Sequence, residues 1–351
     1  MAVLSLPVAG TVRSDSPAAA IVPVGEPACS LGQRSSSARV HLRFVFPPHC
    51  AARIANWAIE MATKCLRLDH RGRSLTVLDH PAVTTVLPAF LGAFEASTLD
   101  VFDAVLPGCA TMVDIGAHVG LTALYAAAHG ARVTAFEPNP QTFALLEANL
   151  ALNPMLASRI VAIAAALAEA DGRASLFAKG NADSGSSLHR AVERGGILAG
   201  HPTGMVTVRD AAAVLAELNI ARTTLVKLDA EGAEYRILPR IAALLAERQP
   251  YLHVSFHPFN LVADSDPYAT QLLRLRACLD AAMALASYPF MYAFSDGRWV
   301  SFGAADRLDL LRRYLLVPKP VAGIGTPQFG FIDGWTFSPA PIPALEMRAA
   351  A

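Results

Sequence analysis

The chain has 351 residues, 53% of them hydrophobic and 17% charged, with a mean hydropathy of +0.37. That balance excludes a disordered, highly solvated polymer and leaves enough apolar surface for a substantial core. Lys plus Arg and Asp plus Glu number 29 each, so the formal net charge is zero; no overall field attracts polyanions, which argues against nucleic acid as the main partner. The five cysteines, Cys29, Cys50, Cys65, Cys109 and Cys278, form no CxxC pair. A disulfide framework and a structural zinc site are both disfavoured, and a reducing, cytoplasmic setting fits best. Apolar runs such as 160–168 fall well short of the roughly 20 residues that span a bilayer. Met1-Ala2-Val3-Leu4 opens without a basic n-region, so we expect a soluble protein with neither a membrane span nor a secretory signal.

In chain order, residues 1–37 are rich in Ser, Pro, Ala and Gly and read as a flexible leader. Residues 38–105 form a lead-in element, with a helical stretch at 52–64, a strand at 74–78 and helices through 88–106. From Thr111 to about Pro318 strand and helix patterns alternate, the sequence form of a parallel α/β sheet with crossover helices, so 106–318 is the expected working domain. The tail, 319–351, is dense in Pro and Gly but carries Phe329, Phe331, Trp335 and Phe337, which suit packing back onto the domain.

Residues 111–115, TMVDI, form a buried-strand pattern that runs into Gly116-Ala117-His118-Val119-Gly120 and then a helical stretch closed by Gly130. In this strand, glycine turn and helix, Gly116 suits close approach of a ligand, Gly120 suits tight helix-to-strand packing, and the helix start offers unpaired N–H groups. A second strand, 131–136, ends at Glu137, which is 21 positions past Gly116. There a doubly wound fold sets an acid against ribose hydroxyls. Asn139 reads as a helix N-cap and Pro140 as the first helical residue, with Phe143, Leu146 and Leu150 on the buried face. The turn is D-x-G-x-x-x-G, not the G-x-G-x-x-G of a dinucleotide site, and Asp114 two residues ahead of Gly116 favours a cationic ligand over a pyrophosphate. S-adenosylmethionine, with its α-amino group and sulfonium, is such a ligand.

Four blocks stand in order: Val113-Asp114-Ile115-Gly116-Ala117-His118-Val119-Gly120-Leu121-Thr122, Phe136-Glu137-Pro138-Asn139-Pro140, Ser184-Gly185-Ser186-Ser187-Leu188, and Val226-Lys227-Leu228-Asp229-Ala230-Glu231-Gly232-Ala233-Glu234. Together they resemble the FkbM-type family of S-adenosylmethionine-dependent methyltransferases, over roughly 90–258. The Lys-x-Asp-x-Glu-Gly-x-Glu block is the specific one, and Gly92-Ala93-Phe94-Glu95 upstream matches a glycine and aromatic-Glu pair common in the family. The resemblance implies a Rossmann-like class I methyltransferase of α/β class: a seven-stranded, mostly parallel sheet between helices with an antiparallel last strand, here expected near 314–318. It implies cofactor contacts from Asp114, Gly116, Ala117, His118, Gly120, Glu137, Pro138, Asn139 and Asp229, and a substrate side at Glu95, Ser186, Ser187 and His189. It also implies O-methylation of a hydroxyl on a small molecule or glycan. His118 stands where the family commonly has Asn, and Ser255 where it often has an acid before the histidine.

The strand 223–229 should point Asp229 at the ligand crevice, with Leu225, Lys227 and Asp229 on one face. A lysine inside an apolar strand needs a carboxylate, which Glu231 or Glu234 would supply; the cluster is then either a brace or catalytic machinery. Asp229 and His257 are the candidate general bases, with Glu231 and His189 behind them. His253 and His257 with Asp229 form a conceivable metal set, but their spacing is not diagnostic and no metal is expected. The segment 90–106 is either a lid over the cofactor or a packing helix. Three rivals remain: a class I transferase acting on N, C or carboxylate, a NAD-dependent oxidoreductase, and a cofactor-binding module without turnover.

Overall fold

The computed structural model describes residues 11–13, 65–91, 93–178, 185–188, 201–262, 266–295, 298–319, 327–331 and 333–350. The expected helix at 52–64, His189, and all of the leader except Thr11–Arg13 lie outside these residues. The chain divides into two units, Met1–Gly92 and Ala93–Ala351.

In the first unit, β1 (Thr11–Arg13) runs parallel to β2 (Cys65–His70), which pairs antiparallel with β3 (Arg73–Leu78). The expected strand at 74–78 is thus one arm of a hairpin. Its turn is Arg71-Gly72, both at positive φ (50° and 75°), the two-residue turn whose twist matches antiparallel strands. Leu66, Leu68, Leu75, Val77 and Leu78 are buried.

The second unit is built on an eight-stranded sheet of order β13-β12-β14-β11-β10-β4-β5-β6. Its strands are β4 (Thr111–Ile115), β5 (Arg132–Phe136), β6 (Ile160–Ile163), β10 (Thr224–Leu228), β11 (Tyr251–Phe256), β12 (Phe290–Ser295), β13 (Arg298–Gly303) and β14 (Asp333–Ser338). The run β11-β10-β4-β5-β6 is parallel throughout. The central strands β4 and β10 are short apolar runs, TMVDI and TLVKL, buried almost along their length, as strands covered on both faces are. Chain order reverses between β4 and β10, so the carboxyl ends of these strands open a crevice at the topological switch point. A separate three-stranded sheet, β7 (Ala166–Ala168), β9 (His201–Asp210) and β8 (Gly172–Ala178) in that spatial order, is inserted between β6 and β10.

The expected antiparallel strand near 314–318 is a different element. Leu311–Leu315 forms a turn of π-helix, and the reversed strand is β14, from the segment read as a tail. β14 enters between β11 and β12 and is antiparallel to both. Its aromatic side chains account for this: Trp335 and Phe337 are buried, and Trp335 lies 4.7 Å from Phe331, 4.9 Å from Tyr314 and 6.3 Å from Phe302, ring centre to ring centre. β13 adds an eighth strand, antiparallel to β12.

The helix Ala93–Val105 belongs to this second unit and packs Leu99, Val101 and Phe102 into the core. Asp100 accepts from Trp299 Nε1 and pairs with Arg348, and Thr98 meets His253. These contacts hold the helix against β11 and β13. In the helix Pro140–Ala151 the buried stripe is Thr142, Leu145, Leu146 and Asn149, whereas Phe143 and Leu150 are half-exposed. Asn149 is tolerated in the stripe because its Nδ2 donates to the Val119 carbonyl (2.8 Å).

Trp335→Ala should destabilise the protein by about 3–5 kcal/mol, the usual cost of truncating a large buried aromatic. Urea unfolding followed by far-UV circular dichroism checks this, and a loss below about 1 kcal/mol would mean β14 is not integral to the sheet.

Candidate active site

Strand pairing, parallel from β4 through β10 to β11 and antiparallel from β11 to β14, sets Asp114 of β4, Lys227 of β10, His253 of β11 and Thr336 of β14 in one row across the sheet. Lys227 lies 3.4 Å from Asp114 Oδ1 and 3.2 Å from Asp229 Oδ2, and donates to the Gly116 carbonyl (3.2 Å). The carboxylate partners of the buried lysine are therefore Asp114 and Asp229, not the expected Glu231 or Glu234. The reason is register: Asp114 stands directly opposite Lys227 on the neighbouring strand. Asp114 is fully buried and its other oxygen accepts from Thr122 Oγ1 (2.6 Å), so its carboxylate is engaged inside the protein.

The glycine turn is shaped by the same contact. Gly116 has φ +83°, and a Cβ there would sit 1.8 Å from the Asp229 carbonyl oxygen. The chain's own backbone already makes a close approach there that requires glycine. Gly120, also left-handed at φ +84°, packs against Leu146 of the next helix, where a Cβ would come within 3.1 Å. The tight packing there is helix against helix, not helix against strand. Gly116 N and Ala117 N both donate to the Phe136 carbonyl (3.0 Å each), which ties the turn to the end of β5.

Glu137 follows at the tip of β5 and is buried. Its two oxygens accept from His118 N (3.0 Å) and Asn139 N (2.8 Å), joining the glycine turn to the next loop. Burial pushes its carboxyl up to about 7 despite these two hydrogen bonds and the Lys227 charge. Asn139 caps the following helix by accepting from Gln141 N (3.0 Å), while its Nδ2 donates to Ser186 Oγ (2.9 Å). Pro138 between them is half-buried. Ser187 pairs with Phe177 and donates from Oγ to the Glu231 carbonyl (2.6 Å). The serine block thus bridges the β5 loop and the β10 loop instead of merely closing on its own backbone. Glu95 lies on the helix Ala93–Val105.

Beyond β10 the loop places Asp229, Glu231 and Glu234 around His257, which follows β11. His257 Nδ1 lies 3.1 Å from Glu234 Oε1, and Nε2 lies 3.6 Å from both Asp229 Oδ1 and Glu231 Oε1. Glu234 is fully buried and accepts from Ala230 N (2.7 Å) and Gly232 N (2.8 Å), which fixes the loop. Asn260 Nδ2 donates to Glu231 Oε2 (2.8 Å). Burial disfavours a charged His257 ring, but Glu231, Glu234 and Asp229 outweigh it and hold the ring up at about 10. Burial likewise raises Glu231 to about 7, reinforced by Asp229 and Glu234 and opposed by His257 and Asn260. At Asp229 burial is overcome by Lys227 and His257, so this carboxyl titrates below its ordinary range. His253 is a separate case. It is buried between Thr98 Oγ1 (3.2 Å) and Thr336 Oγ1 (2.9 Å), and burial with the Lys227 charge lowers it to about 4. It packs the sheet and takes no part in the crevice cluster.

Residues 114–280 match the family described as the Methyltransferase FkbM domain. This segment, just under half of the chain, is similar to FkbM methyltransferase domains. Among solved structures, the chain is similar to a methyltransferase FkbM from Methylobacillus flagellatus KT, at 20% identity over 52% of this chain and 46% of that one, with a TM-score of 0.30. It thus spans under half of that protein's length. A SAM-dependent methyltransferase from Agrobacterium tumefaciens aligns at 12% identity over 79% of this chain and 70% of that one, with a TM-score of 0.35. The precorrin-6y C5,15-methyltransferase of Geobacter metallireducens GS-15 aligns at 12% identity over 68% and 89%, with a TM-score of 0.29. No curated protein matches the chain. No helix among the described residues is long and apolar enough to cross a membrane.

Sequence reading of the FkbM blocks missed Asn260, which sits in a short 3-10 turn after His257 and carries no periodic signal. It also left the Lys227 partners unassigned to Asp114, since only strand pairing reveals them. Lys227→Met should cost about 3–5 kcal/mol of stability, because it leaves the Asp114 and Asp229 charges without their cation. The double variant Lys227→Met/Asp114→Asn should recover part of that loss. Urea denaturation of the two variants measures both, and a Lys227→Met protein as stable as the parent would remove the brace.

Proposed function

We propose that the chain transfers the methyl group of S-adenosylmethionine to a hydroxyl of a small molecule or glycan. The observation that carries this reading is Glu137. It is a buried carboxylate at the tip of β5, held by one N–H from each of the two loops beside it. A carboxylate has about four lone-pair sites, so sites remain for ribose hydroxyls once two are taken by backbone. Gly116, Ala117, His118, Gly120, Pro138 and Asn139 belong to the same two loops and would line the cofactor. Across the crevice, Asp229, Glu231 and Glu234 give the site an excess of negative charge, which suits a cationic ligand.

The bound cofactor supplies an already activated methyl group, so the protein's main contribution is alignment of an acceptor oxygen. Asp229 Oδ1, Glu231 Oε1 and His257 Nε2 face one another at the end of β10 and β11, and the acceptor hydroxyl is placed at that point. The two carboxylates are positioned to draw off its proton, and the ring to orient it. Ser186 and Ser187 set the loop that borders this point.

Two outcomes test the reading. Glu137→Ala should weaken binding of S-adenosylhomocysteine, the demethylated cofactor, by at least tenfold in calorimetry; unchanged affinity would remove the ribose assignment. Because burial holds the Glu137 carboxyl at about 7 and the ribose contact needs the anion, affinity should rise with pH through neutrality and level off above it. Glu137→Gln should show no such rise. For the chemistry, Asp229→Asn should cut turnover by about 10²–10⁴-fold, with a much smaller change in melting temperature. Parallel loss of both would reduce Asp229 to a brace. Turnover is scored by labelled methyl transfer into a panel of hydroxyl, amine and carboxylate acceptors.

A further inference from the structure

Among the described residues, one cluster brings three metal-ligating groups together: Asp229, Glu231 and His257 each offer an atom within 4.8 Å of the others. The 3.6 Å separations of His257 Nε2 from Asp229 Oδ1 and Glu231 Oε1 are too long for hydrogen bonds. Ligand atoms about 2.1 Å from a shared ion stand roughly 3.0–3.4 Å apart at angles of 90–109°, so a few tenths of an ångström of closure at each of these pairs suffices.

The opposite end of each side chain is pinned by a different residue. Lys227 Nζ holds Asp229 Oδ2 at 3.2 Å, Asn260 Nδ2 holds Glu231 Oε2 at 2.8 Å, and Glu234 Oε1 holds His257 Nδ1 at 3.1 Å. A histidine whose second nitrogen donates to a buried carboxylate has the tautomer and ring orientation that metal ligands adopt. Each side chain is therefore turned so that one atom, and only one, is presented to the common centre.

Charge points the same way. Asp114, Asp229, Glu231 and Glu234 bring four carboxylates to this end of the sheet, where Lys227 pairs with only two of them, Asp114 and Asp229. We propose that Asp229, Glu231 and His257 bind one divalent first-row transition-metal cation through the three atoms that face the common centre, the histidine ligating from Nε2. One imidazole with two carboxylates is a mixed nitrogen and oxygen set suited to manganese, iron(II) or zinc, whereas magnesium and calcium prefer all-oxygen shells. Three protein ligands leave coordination positions open for water or for an acceptor oxygen, which the cation would polarise. That last consequence rests on the methyl-transfer reading; the binding of the cation does not.

The test uses the full chain, stripped with EDTA and dialysed. Mn²⁺ is titrated with the free-ion electron paramagnetic resonance signal as readout, and Zn²⁺ is titrated in parallel by calorimetry. One saturable site per chain is expected for at least one of the two ions. His257→Ala and Glu231→Gln should each weaken it at least tenfold, and the positioning variant Glu234→Gln should weaken it by about 10–100-fold with circular dichroism unchanged. If His257→Ala fails to fold, Glu231→Gln carries the comparison. Absence of saturable binding of either ion, or binding equal in parent and variants, would overturn the proposal. S-adenosylhomocysteine binding to the same stripped samples separates the two readings: retained binding with no metal site overturns only the cation.

Discussion

A lysine in the middle of a fully buried parallel strand constrains everything around it. Lys227 cannot keep its charge there without carboxylates close by, and the fold supplies one from the adjacent strand and one from the end of its own. Asp114 thereby becomes the anchor of β4 and Asp229 the anchor of the β10 loop. The glycine turn follows from this arrangement, since the Asp229 carbonyl lies where a Cβ on residue 116 would be. Helix start, loop and strand ends are held as one unit before any ligand arrives.

From this anchor the crevice is assembled by loops that hold one another. Glu137 ties the glycine turn to the cap at Asn139, Asn139 ties that cap to Ser186, and Ser187 ties the serine block to Glu231. Each link is a single hydrogen bond of modest net value, but in series they fix the relative positions of the β5 and β10 loops. Rigid placement of polar groups is what an alignment-driven reaction requires of its protein. On the far side, Glu234 orients His257 from below while Asn260 turns Glu231 toward it, so the orienting groups come from a helix start and a 3-10 turn outside the crevice itself.

Much of this was readable in the linear chain because it depends on local chemistry. The β4 strand, its glycine turn, Glu137 after the second strand, the cap at Asn139 and the acidic block after β10 are all patterns of neighbouring residues. Where the expectations failed, a distant partner intervened. The last antiparallel strand was expected near 314–318, yet the aromatic-rich segment beyond it takes that place, because Trp335 and Phe337 find the pocket between β11 and β12. His253 and His257 looked alike on paper; one faces two threonines inside the sheet and the other faces three carboxylates.

Periodicity and turn chemistry act over a few residues, and so the amino-acid sequence by itself determined the alternating α/β class, the switch-point motif and the identity of the acidic residues that gather there. Strand order, register and the meeting of side chains far apart in the chain were decided only by the tertiary structure. Lys227 pairs with Asp114 because parallel hydrogen bonding sets them side by side, and Asp229, Glu231 and His257 face a common centre because β10 and β11 end together. No interaction along the chain encodes that convergence. It arises from burying two neighbouring strands in one sheet, where a shift of a single residue in register would turn the strand side chains, Lys227 among them, to the opposite face.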